Sequence, residues 1–435
     1  MQQEKERNSC NSSGIAAAEH REPWEIRCNF LVVVVRFYIP SGENVPMTSK
    51  QIVDNLIRGK SAERVGLMGS PWGDTIAAWV QQGYPTRMMQ KDIGDTRWCR
   101  EDGRWVDVER PGEYEEPVPA WEHFNYDMVG IGPWFDCMPL VDYDELIEET
   151  DEWDIRRNGA GASLKYWKHK SGTPEHIDFR MVTREIWERD YRHHLVEFDP
   201  ARVDVDKNRE SLAEANVHGK WTHFGHMFIW ELMRQSMGDV TMYESLLLAP
   251  DWIHDYARVY TDLYKKAFAY LFEQIGVPDG IWLYEDLGYK NGLFASPKIL
   301  DKLIFPYYKE MVDFFHGYDL PVVLHTCGSV AQALPLILDA GFDALNPMER
   351  KAKDNDPFVF AEQYGSRLAF VGGLDARVFE TNDRDTIRRE VTAYIKGMKA
   401  RGARLVFASD HSISPNTTYE SYRYGLEVYR EHMAY

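Results

Sequence analysis

Short apolar runs that end in small or polar residues alternate along most of this chain with longer amphipathic stretches. That is the rhythm of a parallel β/α fold, in which buried strands alternate with helices that cover them. Eight such runs can be placed. They are Arg64–Met68, Tyr126–Ile131, Lys220–Phe224, Gly280–Tyr284, the run led by Pro321 through Leu324, Asp343–Leu345, Leu368–Val371 and Arg404–Phe407. Helical sequence follows most of them, including Asp74–Gln82, two helices across Glu244–Ile275 broken at Pro250, and a helix opened by Ser296-Pro297 and running through Phe315. Eight is the number that closes a (β/α)8 TIM barrel. A doubly wound open sheet would share the rhythm, but no Gly-x-Gly-x-x-Gly turn follows the first strand.

Three regions depart from the rhythm. Residues 1–46 are polar and Ser/Asn-rich around one apolar run, Asn29–Arg36, and read as a disordered or non-native leader without signal-peptide flanks. Met47 looks like a natural start, with Thr48 or Ser49 capping a helix. Between Lys91 and Glu116 the sequence is charged, Trp-studded and Gly-broken, which predicts an irregular insertion. From Asp144 to Asp178, alternation on either side of Asn158-Gly159 predicts an inserted β-hairpin, Trp153–Arg156 against Ser163–Lys168, followed by a helix capped by Thr183. The expected organisation is therefore a leader and one barrel over 47–435, with an insertion at about 91–180 that serves as a lid or an interface.

Composition narrows the function classes. The 435 residues are 44% hydrophobic, with 14 Trp, 24 Tyr and 20 Phe, enough for a large packed core. A net charge of −19 argues against nucleic acid or an anionic membrane as the main partner. No segment approaches the length of a membrane span. Five scattered cysteines (Cys10, Cys28, Cys99, Cys137, Cys327) do not make a disulfide framework, so a cytoplasmic, reducing setting is expected. Pairing into a homodimer is expected of so large and aromatic a barrel.

The candidate chemistry sits where the strands end. His325-Thr326-Cys327-Gly328 puts an imidazole and a thiol two residues apart, and residues i and i+2 of an extended chain share a face. Both are favoured zinc ligands. In a closed barrel they would meet Glu285 and Asp286 from strand four, Asn346 and Glu349 from strand six, Asp375 from strand seven and Asp410-His411 from strand eight. His325, Cys327, His411 and Glu285 would make a mononuclear zinc set with one exchangeable position. The plainer alternative, a buried cysteine beside a hydrogen-bonded histidine with His411 and Asp410 as substrate contacts, fits the same residues. Trp72, Trp134, Tyr284 and Tyr289 could line a flat apolar pocket or simply pack the core, and a structural role is expected for His223 and His226. There is no Ser-His-Asp arrangement, P-loop or Cys-x-x-Cys.

The blocks Tyr284–Pro297, His325–Gly328, Ala344–Pro347, Phe370–Asp375 and Asp410–Pro415, with Tyr419-Glu420 after them, resemble the uroporphyrinogen decarboxylase superfamily in order and spacing. The resemblance implies a (β/α)8 barrel and one of two chemistries. Decarboxylases act without metal and carry an arginine-rich turn after strand one, where this chain has Gly69-Ser-Pro-Trp-Gly-Asp74. Asp136 would match their essential aspartate. Corrinoid-dependent methyltransferases use zinc held by His-x-Cys and a later cysteine. Here His325 and Cys327 match and His411 stands at the later position. The first expectation is thus a zinc-dependent methyltransferase serving a corrinoid-carrying partner protein and a small acceptor. In it Glu285 or Asp286 is the exchangeable ligand or base, Asp410 belongs to the catalytic group, and Trp72, Trp134, Tyr284 and Asn346 bind cofactor. A metal-free carboxy-lyase and a non-catalytic partner subunit are the alternatives.

Overall fold

A computed structural model describes residues 46–90, 98–99, 106–107, 113–168 and 172–435. The expected leader, with its apolar run at 29–36, and most of the charged stretch from Lys91 lie outside the described residues. The centre of the molecule is one eight-stranded sheet: β1 Gly66–Leu67, β2 Met128–Gly130, β3 Trp221–Met227, β4 Gly280–Tyr284, β5 Val322–His325, β6 Ala344–Asn346, β7 Ala369–Val371 and β8 Leu405–Phe407. Every pairing within it is parallel, and the spatial order runs β2-β3-β4-β5-β6-β7-β8-β1. Helices follow the strands: α2 Gly73–Val80, α3 Val205–Val217, α4 Ile229–Leu248, α5 Pro250–Ile275, α6 Pro297–Leu303, α7 Phe305–His316, α8 Leu334–Asp339, α9 Pro357–Tyr364, α10 Arg384–Ala400 and α11 Tyr419–His432. This is the TIM-barrel-like fold that the strand count predicts. None of the described helices is long and apolar enough to cross a membrane.

Inward and outward positions alternate as the pleat requires. Trp221, Trp282, Val323, Ala344, Ala369, Val371 and Val406 form one inner cluster with Met128. The first helix, α1 (Ser49–Ile57), completes that cluster with Ile52, Val53, Leu56 and Ile57 and so plugs the lower end of the barrel. Thr48 begins α1 with a capping box: its hydroxyl accepts from the Gln51 amide, and the Gln51 side chain accepts from the Thr48 amide. Strand residues of the other parity face the helices and join the larger outer core.

The ladder is interrupted between β1 and β2, and an aspartate bridges the gap. Asp127, fully buried, donates its backbone amide to the Leu67 carbonyl (2.7 Å), and its carboxylate accepts from the Leu67 amide (2.8 Å). Arg64 clasps the same carboxylate with two bonds of 2.7 Å, and the Ser49 hydroxyl ties α1 to it (2.5 Å).

Several elements differ from expectation for identifiable reasons. Strand β3 continues past Phe224 to Met227. The first of the two helices placed within Glu244–Ile275 starts earlier, at Ile229, and the second begins at Pro250. The helix opened by Ser296 breaks at Ile304 because Pro306 can neither donate nor fit the preceding turn. The expected hairpin is the middle of a four-stranded antiparallel sheet, Asp144–Glu149, Trp153–Asn158, Ala162–Trp167 and Glu175–Phe179. Its last strand presses the Phe179 ring against Gly238, where α4 leaves helical geometry at φ +75° and a Cβ would lie 2.5 Å from that ring.

His223 and His226 take opposite faces of β3, as a spacing of three dictates. His226 meets the Tyr264 hydroxyl on α5 (2.7 Å). His223 lies inside the barrel, stacked on Trp282 with ring centres 5.0 Å apart, and burial lowers it to about 4.

Two outcomes are expected. Replacing Asp127 with alanine strands the partly buried Arg64 guanidinium and the Leu67 amide, so chemical denaturation should show a loss of about 3–5 kcal/mol. In the folded barrel His223 takes a proton only near or below about 4, whereas the unfolded chain binds one below its ordinary value near 6.5. Stability therefore falls as pH drops from about 6.5 towards 4, by about 3 kcal/mol in all, and His223→Phe should remove that part of the dependence.

Candidate metal centre

Register builds the site. In the ladders Tyr284 of β4 stands beside His325 of β5, and His325 stands beside Asn346 of β6, so three inward side chains form one row at the upper rim. Beyond the row the chain after His325 is held at each successive amide. Thr326 donates to the Asn346 carbonyl (2.9 Å), Cys327 to Oδ1 of Asp286 (2.8 Å) and Gly328 to Oε2 of Glu349 (2.9 Å). Gly328 adopts φ +75°, and a Cβ there would lie 2.3 Å from the backbone of Gly288, so only glycine closes this turn.

The result is a three-donor cluster. One ligand atom each from Asp286, His325 and Cys327 lies within 4.8 Å of the others. His325 Nε2 is 3.5 Å from the Cys327 sulfur and 3.7 Å from Asp286 Oδ1. The opposite ring nitrogen is accounted for. Asn346 donates its amide nitrogen to the Val371 carbonyl (2.9 Å), which turns Oδ1 towards His325 Nδ1 at 2.5 Å. Nδ1 then carries the hydrogen, and the Nε2 lone pair faces the sulfur and the carboxylate. Burial lowers the His325 value, which favours the neutral, ligating form. Burial first, then Asp286 and Glu349, push the Cys327 thiol far up. A mixed N, S and O set of this kind suits zinc, and a bound cation would reverse the pressure on the thiol.

Glu285 is not brought to the cluster. Fully buried on the outward face of β4, it meets the N-terminus of α4. Its carboxylate accepts from the amides of Phe228 (2.7 Å), Trp230 (2.8 Å) and Glu231 (3.3 Å) and from the Tyr308 hydroxyl. It serves as the carboxyl cap that helix end needs. Burial raises Glu285 to about 8 and its neighbour Glu231 to about 7.

His411 also stands apart, 42% exposed at the rim, with Nδ1 3.6 Å from Oδ1 of the buried Asp410. That contact raises its value. Asp136 lies in the loop after β2 with both oxygens spent on the amides of Met138 and Asp142 (2.8 and 2.9 Å).

A cavity of about 160 Å³ opens beside the cluster. Its lining includes Tyr284, His325, Asn346, Asp410, His411 and Ser70. Of the four expected cofactor contacts, Tyr284 and Asn346 line it and Trp72 and Trp134 do not. Trp72 begins α2, and the ring of Trp134 carries the Lys207 ammonium at 3.6 Å. Sequence reasoning did not assign Asn346 as the residue that orients His325, nor Glu349 as the acceptor for the Gly328 amide. The strand-end position of Asn346, two residues after the inward Ala344, is the signal that could have suggested the first.

Comparison with known proteins agrees with this architecture. Residues 235–432 match the family described as Uroporphyrinogen decarboxylase (URO-D), a span that contains the cluster and the cavity wall from β4 to β8. That stretch is similar to the uroporphyrinogen decarboxylase family, and the chain as a whole has a TIM-barrel-like fold. Among solved structures, a methyltransferase from Methanosarcina mazei superposes with a TM-score of 0.60 at 15% identity, covering 88% of this chain and 99% of that one. A xylose isomerase domain containing protein from Salmonella typhimurium LT2 matches with a TM-score of only 0.25 at 12% identity, over 48% of this chain and 85% of that one, and carries no weight. No curated protein gives a significant sequence match.

Asn346→Ala leaves His325 Nδ1 without its acceptor, so zinc affinity measured by competition with a chromogenic chelator is expected to fall about 10–100-fold while the fold is kept.

Proposed function

We propose that this chain is a zinc-dependent methyltransferase that moves a methyl group from a corrinoid-carrying protein to a small thiol. The observation that carries the reading is the convergence of Asp286, His325 and Cys327 at the upper rim of the barrel, next to a cavity. The likeness to the Methanosarcina mazei methyltransferase agrees with it at the level of the fold.

Zinc held by these three residues, with a remaining position for the acceptor, would supply the positive charge that turns a thiol into a thiolate at neutral pH. The protein's own part is to prepare that place. Asn346 fixes the His325 ring so that Nε2 is free to ligate, and Asp286 fixes the Cys327 backbone while remaining in reach of the shared point. Transfer forms a carbon–sulfur bond on the acceptor and breaks the donor's bond to the methyl group, whose electron pair stays with the corrinoid. The thiol proton leaves to solvent, since Asp286 would be taken up as a ligand. His411 replaces the cysteine usual at the later position, and at the rim it is placed to contact substrate.

Elemental analysis of the purified protein tests the metal. About one zinc per chain is expected in the wild type and none after His325→Ala or Cys327→Ala. Glu285→Gln should keep its zinc, because that carboxylate belongs to the α4 cap, whereas Asp286→Ala should lose it. Thiol methylation from a methylated corrinoid donor should follow the zinc content. A metal-free wild type that releases CO2 from porphyrinogens or small carboxylic acids would overturn the proposal.

A further inference from the structure

Cys327 lies two residues past the end of β5, where no ladder fixes it. The turn that carries it is held instead from both sides. Its successive amides find partners alternately on the loop after β4 and the loop after β6. Cys327 donates to Asp286 on the first and Gly328 to Glu349 on the second. Ser329 then donates to the Tyr289 carbonyl (2.9 Å) and Val330 to Oδ1 of Asn355 (3.0 Å). The two loops are also joined to each other, through the Lys353 amide and the Lys290 carbonyl (2.8 Å).

On the β6 side Asn355 makes the most of these bonds. It is 7% exposed, and its amide spends its hydrogen-bonding capacity inside this collar. Oδ1 takes the Val330 amide, while Nδ2 donates to the Gly328 carbonyl (2.8 Å) and the Glu349 carbonyl (3.0 Å). The orientation is forced, because the flipped amide would set Nδ2 against an N–H and Oδ1 against two carbonyls. The side chain thus grips the turn on either side of Ser329 and ties it to the residue whose carboxylate accepts the Gly328 amide. The same loop holds Met348, fully buried, at φ +61°, between Asn346 and Glu349. That conformation costs a non-glycine residue and persists where the surroundings over-determine it.

We propose that Asn355 is a positioning residue of the metal centre: it holds the Gly328–Val330 turn where the Cys327 sulfur meets His325 Nε2 and Asp286. The proposal rests on the reading of those three residues as zinc ligands and adds the group that sets the place of the sulfur. A primary amide suits the position because the turn asks for two donors and one acceptor. An aspartate of the same shape would turn an oxygen towards the Gly328 and Glu349 carbonyls. A ligand displaced by about 1 Å is enough to spoil a site whose metal–ligand distances tolerate about 0.2 Å.

Zinc affinity of the full chain, read by competition with a chromogenic chelator, tests this together with the absorption spectrum of the cobalt(II)-loaded protein. Asn355→Ala and Asn355→Asp are expected to bind zinc about 10–100-fold more weakly than the wild type. Their thiolate-to-cobalt charge-transfer band should weaken as well. Asn208 supplies the control for a merely structural role. It is also buried and makes the same kind of bonds, from the Trp134 amide (2.9 Å) and to the Trp134 and Asp204 carbonyls (3.0 and 2.7 Å), on the loop after β2. Asn208→Ala should lower the melting temperature yet keep the zinc affinity within about twofold. If Asn355→Ala does not fold, Asn355→Ser, which keeps one donor and one acceptor, takes its place. Zinc affinities of the folded Asn355 variants equal to the wild type, or an equal drop in Asn208→Ala, overturn the positioning role. A wild type that takes up no zinc overturns the ligand reading and the positioning role with it, whereas a wild type that binds zinc confines any failure to Asn355.

Discussion

An aspartate placed one residue ahead of a strand, accepting a backbone amide of the strand before it, is the contact on which this barrel's register depends. It occurs three times. Asp127 precedes β2 and holds Leu67 of β1, Asp279 precedes β4 and holds Thr222 of β3 (2.9 Å), and Asp343 precedes β6 and holds Val322 of β5 (2.7 Å). Each carboxylate is tied in turn to a cation or imidazole: Arg64, Lys50 and His316 respectively. The fourth pair lacks the device, since Arg404 stands ahead of β8 and its carbonyl accepts from Phe370 instead. A slip of one residue in any strand would turn its inward set outward. Clamping the lower ends therefore fixes what appears at the upper rim, where Tyr284, His325 and Asn346 come level. The chemistry at one end of the barrel is positioned by carboxylates at the other.

Much of this was legible in the sequence because parallel barrel strands are buried on both faces and stand out as apolar runs between amphipathic stretches. Gly280–Tyr284 and the strand before His325 could be placed closely. Ends that rely on long-range contacts could not. The continuation of β3 through Gly225 depends on Tyr284, whose ring lies where a side chain at Gly225 would sit. The four-stranded inserted sheet was read only as a hairpin because its outer strands, Asp144–Glu149 and Glu175–Phe179, are exposed and charged and lack the alternation that marks a half-buried strand.

The site shows the same division. His325 and Cys327 could be paired from their spacing, since i and i+2 share a face. The same rule separates Glu285 from Asp286: Trp282 and Tyr284 point inward, so Asp286 continues their face and Glu285 takes the other. What no local rule supplies is the reason a carboxylate is tolerated at Glu285. That reason is the N-terminus of α4 and the Tyr308 hydroxyl, which arrive from distant sequence and fill its hydrogen-bonding capacity. The role of Asn346 was hidden for a similar cause, because its side chain orients His325 only when β5, β6 and β7 are already aligned.

The electrostatics around Cys327 oppose a thiolate. Asp286, Glu349 and Asp410 all act to keep the Cys327 thiol protonated, and burial adds to them. His325, held neutral by burial, offers no compensating charge. Such a field opposes a thiolate on its own and favours one once positive charge enters as a metal ion on the cluster. It also weighs against a substrate that brings several carboxylates, which would need arginines that the cavity wall does not contain. The acidic groups around Cys327 thus favour a cation at the cluster over a bare thiolate.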